Sequence, residues 1–437
     1  MTDVLVVGAG PTGMLLASEL LLAGASVVLV DKRLERSGQS KALSLQPRSV
    51  EVLHSRGLLE PLLAEARELP GGHFAGLPLD YSTLDTRFPY QLGIPQLRIE
   101  QHLEDHLVKH NLVVRRGLEL SALVQDSTGV TATFADGTSI RADWVVGCDG
   151  ARSAVRQLSG IEFPGRDGRF SAVVADVVVD GIQEDWLLPT LETREGAVLT
   201  MLPLSGRVQR VLFSGPAQQG LPKDHPVTHE EVAAALTGWY GEGVVLQELR
   251  YGSRFTDAVR QADRYREGRV FVAGDAAHIH SPTGGQGMNL GLQDAFNLGW
   301  KLGAVIRGDA PEPLLDSYHT ERHPVGAAVL ANTRAQGVLT VPDDDVACLR
   351  DTFADLLHLP EANHHLAGLI SGLGIAYAPG DHPLVGHRMP DLDLPNGTTV
   401  LQALRPGRPL TITPPTDPTT QLTIRPDGYI QTATPTP

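Results

Sequence analysis

The residues of this 437-residue chain that could do chemistry lie mainly in three turns. The first is Gly8-Ala9-Gly10-Pro11-Thr12-Gly13, and an aspartate follows at position 31. A G-x-G-x-x-G turn with an acid about 20 residues on is the fingerprint of a dinucleotide site, provided that it joins a strand to a helix. The first glycine permits the tight turn, the second lets a pyrophosphate approach the backbone, and the third lets the helix pack on the strand. The second turn, Asp149-Gly150, runs into Arg152, Ser153 and Arg156; the third, Gly274-Asp275, opens the stretch GDAAHIHSPTGGQGMN at 274–289. That stretch has few side chains to bury and much main-chain N–H to offer, which suits a flat polar ligand held close to backbone. His278 and His280 within it lack a third partner at ligand spacing, so they read as hydrogen-bonded loop histidines and not as metal ligands.

Elements that could position these turns are legible around each. Val4 to Val7 is an apolar run too short for a helix and closed by glycine, which reads as a buried parallel strand. Apolar residues then recur at helical spacing from Thr12 to Ala23, Gly24 ends the helix, and Val27 to Val30 forms a second strand. Two further short apolar strands, Trp144 to Gly147 and Val270 to Ala273, lead into the second and third turns. In a doubly wound parallel sheet ligands gather at the carboxyl ends of the strands, so all three turns are expected on one edge. After the third turn Leu292, Ala295, Phe296, Gly299, Leu302, Gly303 and Ile306 form one stripe, predicting a packed helix that begins near Met288.

Elsewhere the pattern changes. Residues 71–97 mix turn residues with His73, Phe74, Tyr81, Phe88 and Tyr90, and 166–267 alternates in short segments such as SAVVADVVVD, typical of an antiparallel sheet. The expected organisation is a discontinuous nucleotide-binding domain (1–70, 98–165 and 268–340), a substrate domain (71–97 and 166–267) and a C-terminal region (341–437). The last is loop-rich and ends in a poorly ordered Pro/Thr-rich tail. A net charge of -15 argues against nucleic acid or an anionic membrane as partner. Two distant cysteines support neither a disulfide framework nor a zinc site and fit a reducing cytoplasm. The apolar stretch MLLASELLLAGA is too short for a membrane span and carries Glu19. Nothing in the sequence fixes an oligomeric state.

The fingerprint turn, CDGARSAVR and GDAAHIHSPTGGQGMNLGLQDAFNLGWKL, in this order, resemble the FAD-dependent aromatic hydroxylases of the p-hydroxybenzoate hydroxylase class over roughly residues 1–330. HPLVGHRMPDLDL and RPDGYI resemble the C-terminal region of the polyketide and antibiotic hydroxylases in that class. The resemblance implies an α/β fold: an FAD-binding doubly wound parallel sheet, an inserted antiparallel-sheet substrate domain and a reduced thioredoxin-like C-terminal region without Cys-x-x-Cys.

It also implies cofactor contacts. Gly8, Gly10, Thr12 and Gly13 would line the FAD pyrophosphate, Asp31 would bind the ribose and Lys32 would lie beside the adenine. Lys41 or Arg48 would replace an arginine that usually touches the cofactor. Gln96 would reach the ribityl chain, Leu120 would meet the adenosine through its backbone, and Asp149 would serve both FAD and NAD(P)H. Asp275 would bind a ribityl hydroxyl, while Gly285, Gly287, Met288 and Asn289 would hold the flavin ring mainly through backbone. The helix beginning near Met288 would aim its partial positive end at flavin N1 and C2=O, favouring the anionic reduced form.

The implied reaction is hydroxylation of an aromatic polyketide or related antibiotic: NADPH or NADH reduces FAD, and molecular oxygen adds to give a flavin C4a-hydroperoxide that transfers one atom. Baeyer-Villiger insertion by the same species, a flavoprotein reductase and a drug-binding protein are the alternatives. No catalytic side chain is assigned; a base near the substrate phenol would be His73, Tyr81, Tyr90 or none.

Overall fold

A computed structural model describes residues 2–182, 192–194, 196–341, 343–414 and 417–436. Parts of the expected substrate sheet (183–191 and 195) and of the expected tail (415–416 and 437) lie outside the described residues.

The chain opens with strand β1 (Thr2–Val7), helix α1 (Pro11–Leu22) and strand β2 (Val27–Asp31). Strand β3 (Ser139–Gly147), the short helix α2 (Ala154–Leu158) and strand β4 (Val270–Val272) come later in the chain and return to the same sheet. β4, β3, β1 and β2 are neighbours in that order and all parallel. Their apolar runs are buried on both faces, which is what a parallel sheet covered by helices requires. Helix α3 (Gly287–Ile306) lies against α1. Gly299 and Gly303 permit this: a Cβ on either would come within 2.5 Å of the Glu19 or Ala23 side chain of α1. Helices α4 (Asp316–Val338) and α5 (Asp344–Leu356) follow.

The antiparallel sheet expected within 166–267 is present, in the order 192–194, 197–205, 208–214, 171–180, 245–256. One face packs on the helix His229–Tyr240 through Val173, Val177, Val211, Leu236 and Trp239. The segment 71–97 packs elsewhere. Its hairpin (Gly72–Phe74 and Leu77–Leu79) buries Phe74 and Leu79 with Leu339, Ala367 and Ile370, and Phe74 stacks on Phe353 of α5 at 5.3 Å. Its strand Tyr90–Gly93 pairs with Ser44–Leu45 and Arg67–Pro70.

The C-terminal region corrects an expectation. Instead of a poorly ordered tail, Leu410–Ile412, Thr420–Ile424 and Ile430–Pro435 form a three-stranded sheet with Met389, Val400, Leu404, Leu422, Ile424 and Ile430 in its own core. Threonine and proline dominate the composition, but the alternation of Leu422 and Ile424 is the period-two signal that decides the structure.

Candidate functional site

The four parallel strands end level. Val7 pairs with Val30 and Gly147, and Gly147 pairs with Val272, so the turns that begin at Gly8, Asp31, Cys148 and Ala273 share one edge. The first turn is closed at two glycines and open at the third. A Cβ on Gly8, whose φ is +107°, would lie 2.3 Å from the Cys148 carbonyl oxygen; one on Gly13 would lie 1.9 Å from the Gly8 carbonyl oxygen; one on Gly10 would meet nothing within 4 Å. Gly10 heads α1, whose first turn has neither a side-chain cap nor an acid. Free N–H groups at a helix N-terminus beside open space are a cradle for a phosphate group.

Asp31 stiffens this turn, accepting the Ala9 N–H at 2.9 Å on one oxygen and the Arg33 N–H at 2.8 Å on the other. Lone pairs remain on both oxygens for a ribose hydroxyl. The Leu118 N–H donates to the Asp31 carbonyl at 3.0 Å, which draws the start of the strand Leu120–Asp126 to the same end. Lys32 is exposed there, 4.0 Å from Glu119. Gln96 accepts the Ala42 N–H at 3.1 Å and donates to Glu100 at 2.8 Å, fixing the loop that carries exposed Lys41. That loop has a second holder with no local signal in the sequence: Arg210, clamped by Asp176 at 2.7 and 2.9 Å, donates to the Ser40 carbonyl.

Arg48 is a correction. It is 2% exposed and committed elsewhere, donating to Glu51 at 2.9 Å and to the Asp427 carbonyl at 2.6 Å. Its guanidinium joins the C-terminal region to the first domain, with its donors turned to those partners. Asp149 is likewise engaged: its carboxylate accepts from Ser153 Oγ at 2.5 Å and from the Ala154 and Val155 N–H groups at 2.7 and 3.2 Å, capping α2. Burial pushes its carboxyl up despite those donors. Asp275, by contrast, is exposed at the end of β4 and makes no hydrogen bond or ion pair among the described residues.

The third turn meets the first. A Cβ on Gly274 would lie 2.8 Å from Thr12 Oγ1, and one on Gly291 only 2.4 Å from the same atom. The head of α1, the end of β4 and the first turns of α3 are therefore in contact. α3, like α1, begins with no side-chain cap and no acid in its first turn, and its first helical bond runs from the Leu290 N–H to the Gln286 carbonyl. The N–H groups of Gly287, Met288 and Asn289 therefore have no helical acceptor. The buried Asn289 side chain works as a bracket, accepting the Gln46 N–H at 2.8 Å and donating to the carbonyls of Gly285 (2.8 Å) and Ser44 (3.2 Å).

Behind the edge Asp294, wholly buried, holds the Gly274 N–H at 3.1 Å, His278 at 2.6 Å and Arg322 at 2.8 Å. Burial works to raise its carboxyl, but Arg322 and His278 outweigh it and hold the group below the usual range. His280 Nδ1 meets the Ser281 carbonyl at 2.7 Å.

The candidate bases separate. Tyr81 is wholly buried, donates to Gln46 Oε1 at 3.1 Å, and burial raises its phenol far beyond use as a base. Burial, with Glu68 adding to it, pushes Tyr90 up to about 12. His73 accepts the Gly76 N–H at 3.2 Å within its own turn, and burial and Arg350 lower its imidazole.

The comparisons agree with this geometry. The FAD binding domain family matches residues 1–333. The 12-dehydrotetracycline 5-monooxygenase/anhydrotetracycline 6-monooxygenase of Streptomyces rimosus is 47% identical over 405 residues, 90% of this chain and 80% of that one. The rifampicin monooxygenase of Streptomyces venezuelae is 44% identical over 416 residues, 94% of this chain and 87% of that one. The solved anhydrotetracycline hydroxylase from Streptomyces rimosus superposes with a TM-score of 0.91 at 43% identity, covering 99% of this chain and 95% of that one. No helix among the described residues is long and apolar enough to cross a membrane. The chain belongs to the FAD binding domain family, as a flavin-dependent aromatic monooxygenase of its polyketide and antibiotic hydroxylase branch.

Proposed function

We propose that this protein hydroxylates a multi-ring phenolic polyketide or related antibiotic, consuming NAD(P)H and molecular oxygen in the cytoplasm. Thr12 lying against both Gly274 and Gly291 carries the reading, because it puts two uncapped helix N-termini on one edge where a single extended dinucleotide spans both. FAD, when held here, would supply the redox chemistry, hydride acceptance from NAD(P)H and activation of oxygen. The atoms balance as NAD(P)H, a proton, oxygen and an aromatic C–H going to NAD(P)+, water and a phenol.

The chain's own residues bind, orient and shield. Gly8, Gly10, Thr12 and Gly13 take the pyrophosphate, Asp31, Lys32 and Leu120 the adenosine, and Lys41, Gln96 and Asp275 the linker to the ring. Gly285 and the N–H groups of Gly287, Met288 and Asn289 would hold the pyrimidine edge of the ring, where the positive end of α3 would favour negative charge. The antiparallel sheet and the hairpin at 72–79 cover the substrate and exclude water. The names of the relatives support a multi-ring substrate.

The experiment supplies FAD-loaded protein with NADPH, oxygen and anhydrotetracycline, following oxygen uptake and product mass. The reading expects substrate-dependent NADPH oxidation and a product heavier by one oxygen atom. Oxidation indifferent to every aromatic compound offered, with no oxygenated product, refutes it.

A further inference from the structure

Neutral amides frame the glycine loop at 284–286. Gln46 donates to the Gly284 carbonyl at 3.1 Å, and Gln286 and Gln336 both donate to Asn332 Oδ1, at 3.2 and 2.6 Å. Gly284, at φ +77°, is fitted closely by them: a Cβ there would lie 3.1 Å from Gln286 Nε2 and 3.2 Å from Gln336 Nε2. Gln336, on α4 and wholly buried, also reaches the other way, its Oε1 accepting the Ala75 N–H at 2.9 Å.

Ala75 is the buried turn of the 72–79 hairpin and sits at φ +53°, a left-handed conformation that is unfavourable for a residue with a Cβ. From α5, Arg350 Nη1 donates to its carbonyl at 2.6 Å. The unfavourable peptide is thus held at its N–H by one helix and at its carbonyl by the next. Strain with dedicated holders points to a geometry that function requires. The Gln336 amide thus bonds the hairpin directly and reaches the glycine loop through a shared acceptor, Asn332 Oδ1, which also takes the Gln286 amide.

We propose that Gln336 is a positioning residue that couples the buried Ala75 turn, which backs the hairpin assigned above to covering the substrate, to the glycine loop that meets the flavin edge. This rests on the functional reading above.

The test uses full-length FAD-loaded protein with anhydrotetracycline as probe, reading the flavin difference spectrum and probe affinity from pH 5 to 9. Gln336→Met removes both bonds and leaves the Ala75 N–H unpaired. We expect FAD affinity within a few-fold of wild type and probe affinity about ten-fold weaker, with a smaller flavin response. Gln336→Glu separates coupling from folding. As a neutral acid it keeps both bonds, accepting from Ala75 and donating to Asn332, so the response at low pH matches wild type. Ionised, it sets a carboxylate oxygen against Asn332 Oδ1, and the response is lost as pH rises, while wild type shows no such loss. Wild-type spectra and probe affinity in both variants at every pH overturn the proposal with the functional reading intact. A wild-type protein that takes up no FAD, or whose flavin ignores the probe, brings down the functional reading and the coupling with it.

Discussion

Gly291→Ala adds one methyl group at the point where the two ends of the site meet. Its Cβ would lie 2.4 Å from Thr12 Oγ1 and 3.2 Å from the Gly274 Cα. Ordinary contact begins near 3.4 Å, so about 1 Å must be found between elements fixed by the sheet on one side and by α1 on the other. Overpacking of this kind costs about 1–3 kcal/mol. Alanine's helix propensity returns up to about 1 kcal/mol, leaving a net loss of about 1–2 kcal/mol. Thr12→Ala removes Oγ1 and leaves Thr12 Cβ at 3.6 Å, an ordinary contact. In that background only the 3.2 Å approach to the Gly274 Cα remains tight, so Gly291→Ala costs much less than in wild type. The double-mutant cycle should give a coupling of about 2 kcal/mol, read from urea denaturation of the four apoproteins. Additivity within about 0.5 kcal/mol refutes the contact, and with it the claim that α1 and α3 open onto one edge.

Three further outcomes follow from the same geometry. Asp275→Ala should weaken FAD binding about ten-fold in a fluorescence titration without moving the denaturation midpoint, since the carboxylate is exposed and unpaired; a lowered midpoint with unchanged FAD affinity contradicts the assignment. Asp149→Ala should show the opposite weighting, a loss of about 1 kcal/mol as the Ala154 and Val155 N–H groups lose their acceptor while Ser153 still caps α2, and an unchanged midpoint refutes the role. Acid should loosen the C-terminal region through Glu321. Burial works to raise this carboxyl, but Arg425 and Lys301, both at 2.7 Å, bring it down to about 2. Both partners count in this range, because Lys301, although desolvation pushes it down to about 8, is fully charged in acid. With the folded value below the ordinary 4.5, this stabilisation is complete above pH 4.5 and lost as pH falls toward 2. Melting curves against pH should therefore be flatter in Glu321→Gln over that window, and equal acid slopes in the two proteins contradict the role.

The sequence carries those parts of the site whose causes are local. β1, α1 and β2 announce themselves because a buried parallel strand, a helix and a glycine turn each have a short-range pattern, and α3 does so through its apolar stripe. Parts that depend on distant partners are silent. Arg48 looks like a cofactor arginine until Asp427, 379 residues on, is seen to hold it. Gln336 and Arg210 are single polar residues in a helix and a strand, and only the folded chain shows what they bracket. Asp149 closes a strand as a cofactor ligand would, yet the same position caps the next helix. The C-terminal sheet is hidden by threonine and proline, whose abundance outweighs a two-residue apolar alternation in any compositional reading.

The most direct measurement is a crystal structure of the protein with one equivalent of FAD. The account predicts the pyrophosphate against Gly10, Pro11 and Thr12, and the flavin pyrimidine edge within hydrogen-bond reach of the N–H groups of Gly287, Met288 and Asn289. A flavin ring remote from residues 287–289, or a pyrophosphate away from the Gly10 N-terminus of α1, contradicts it.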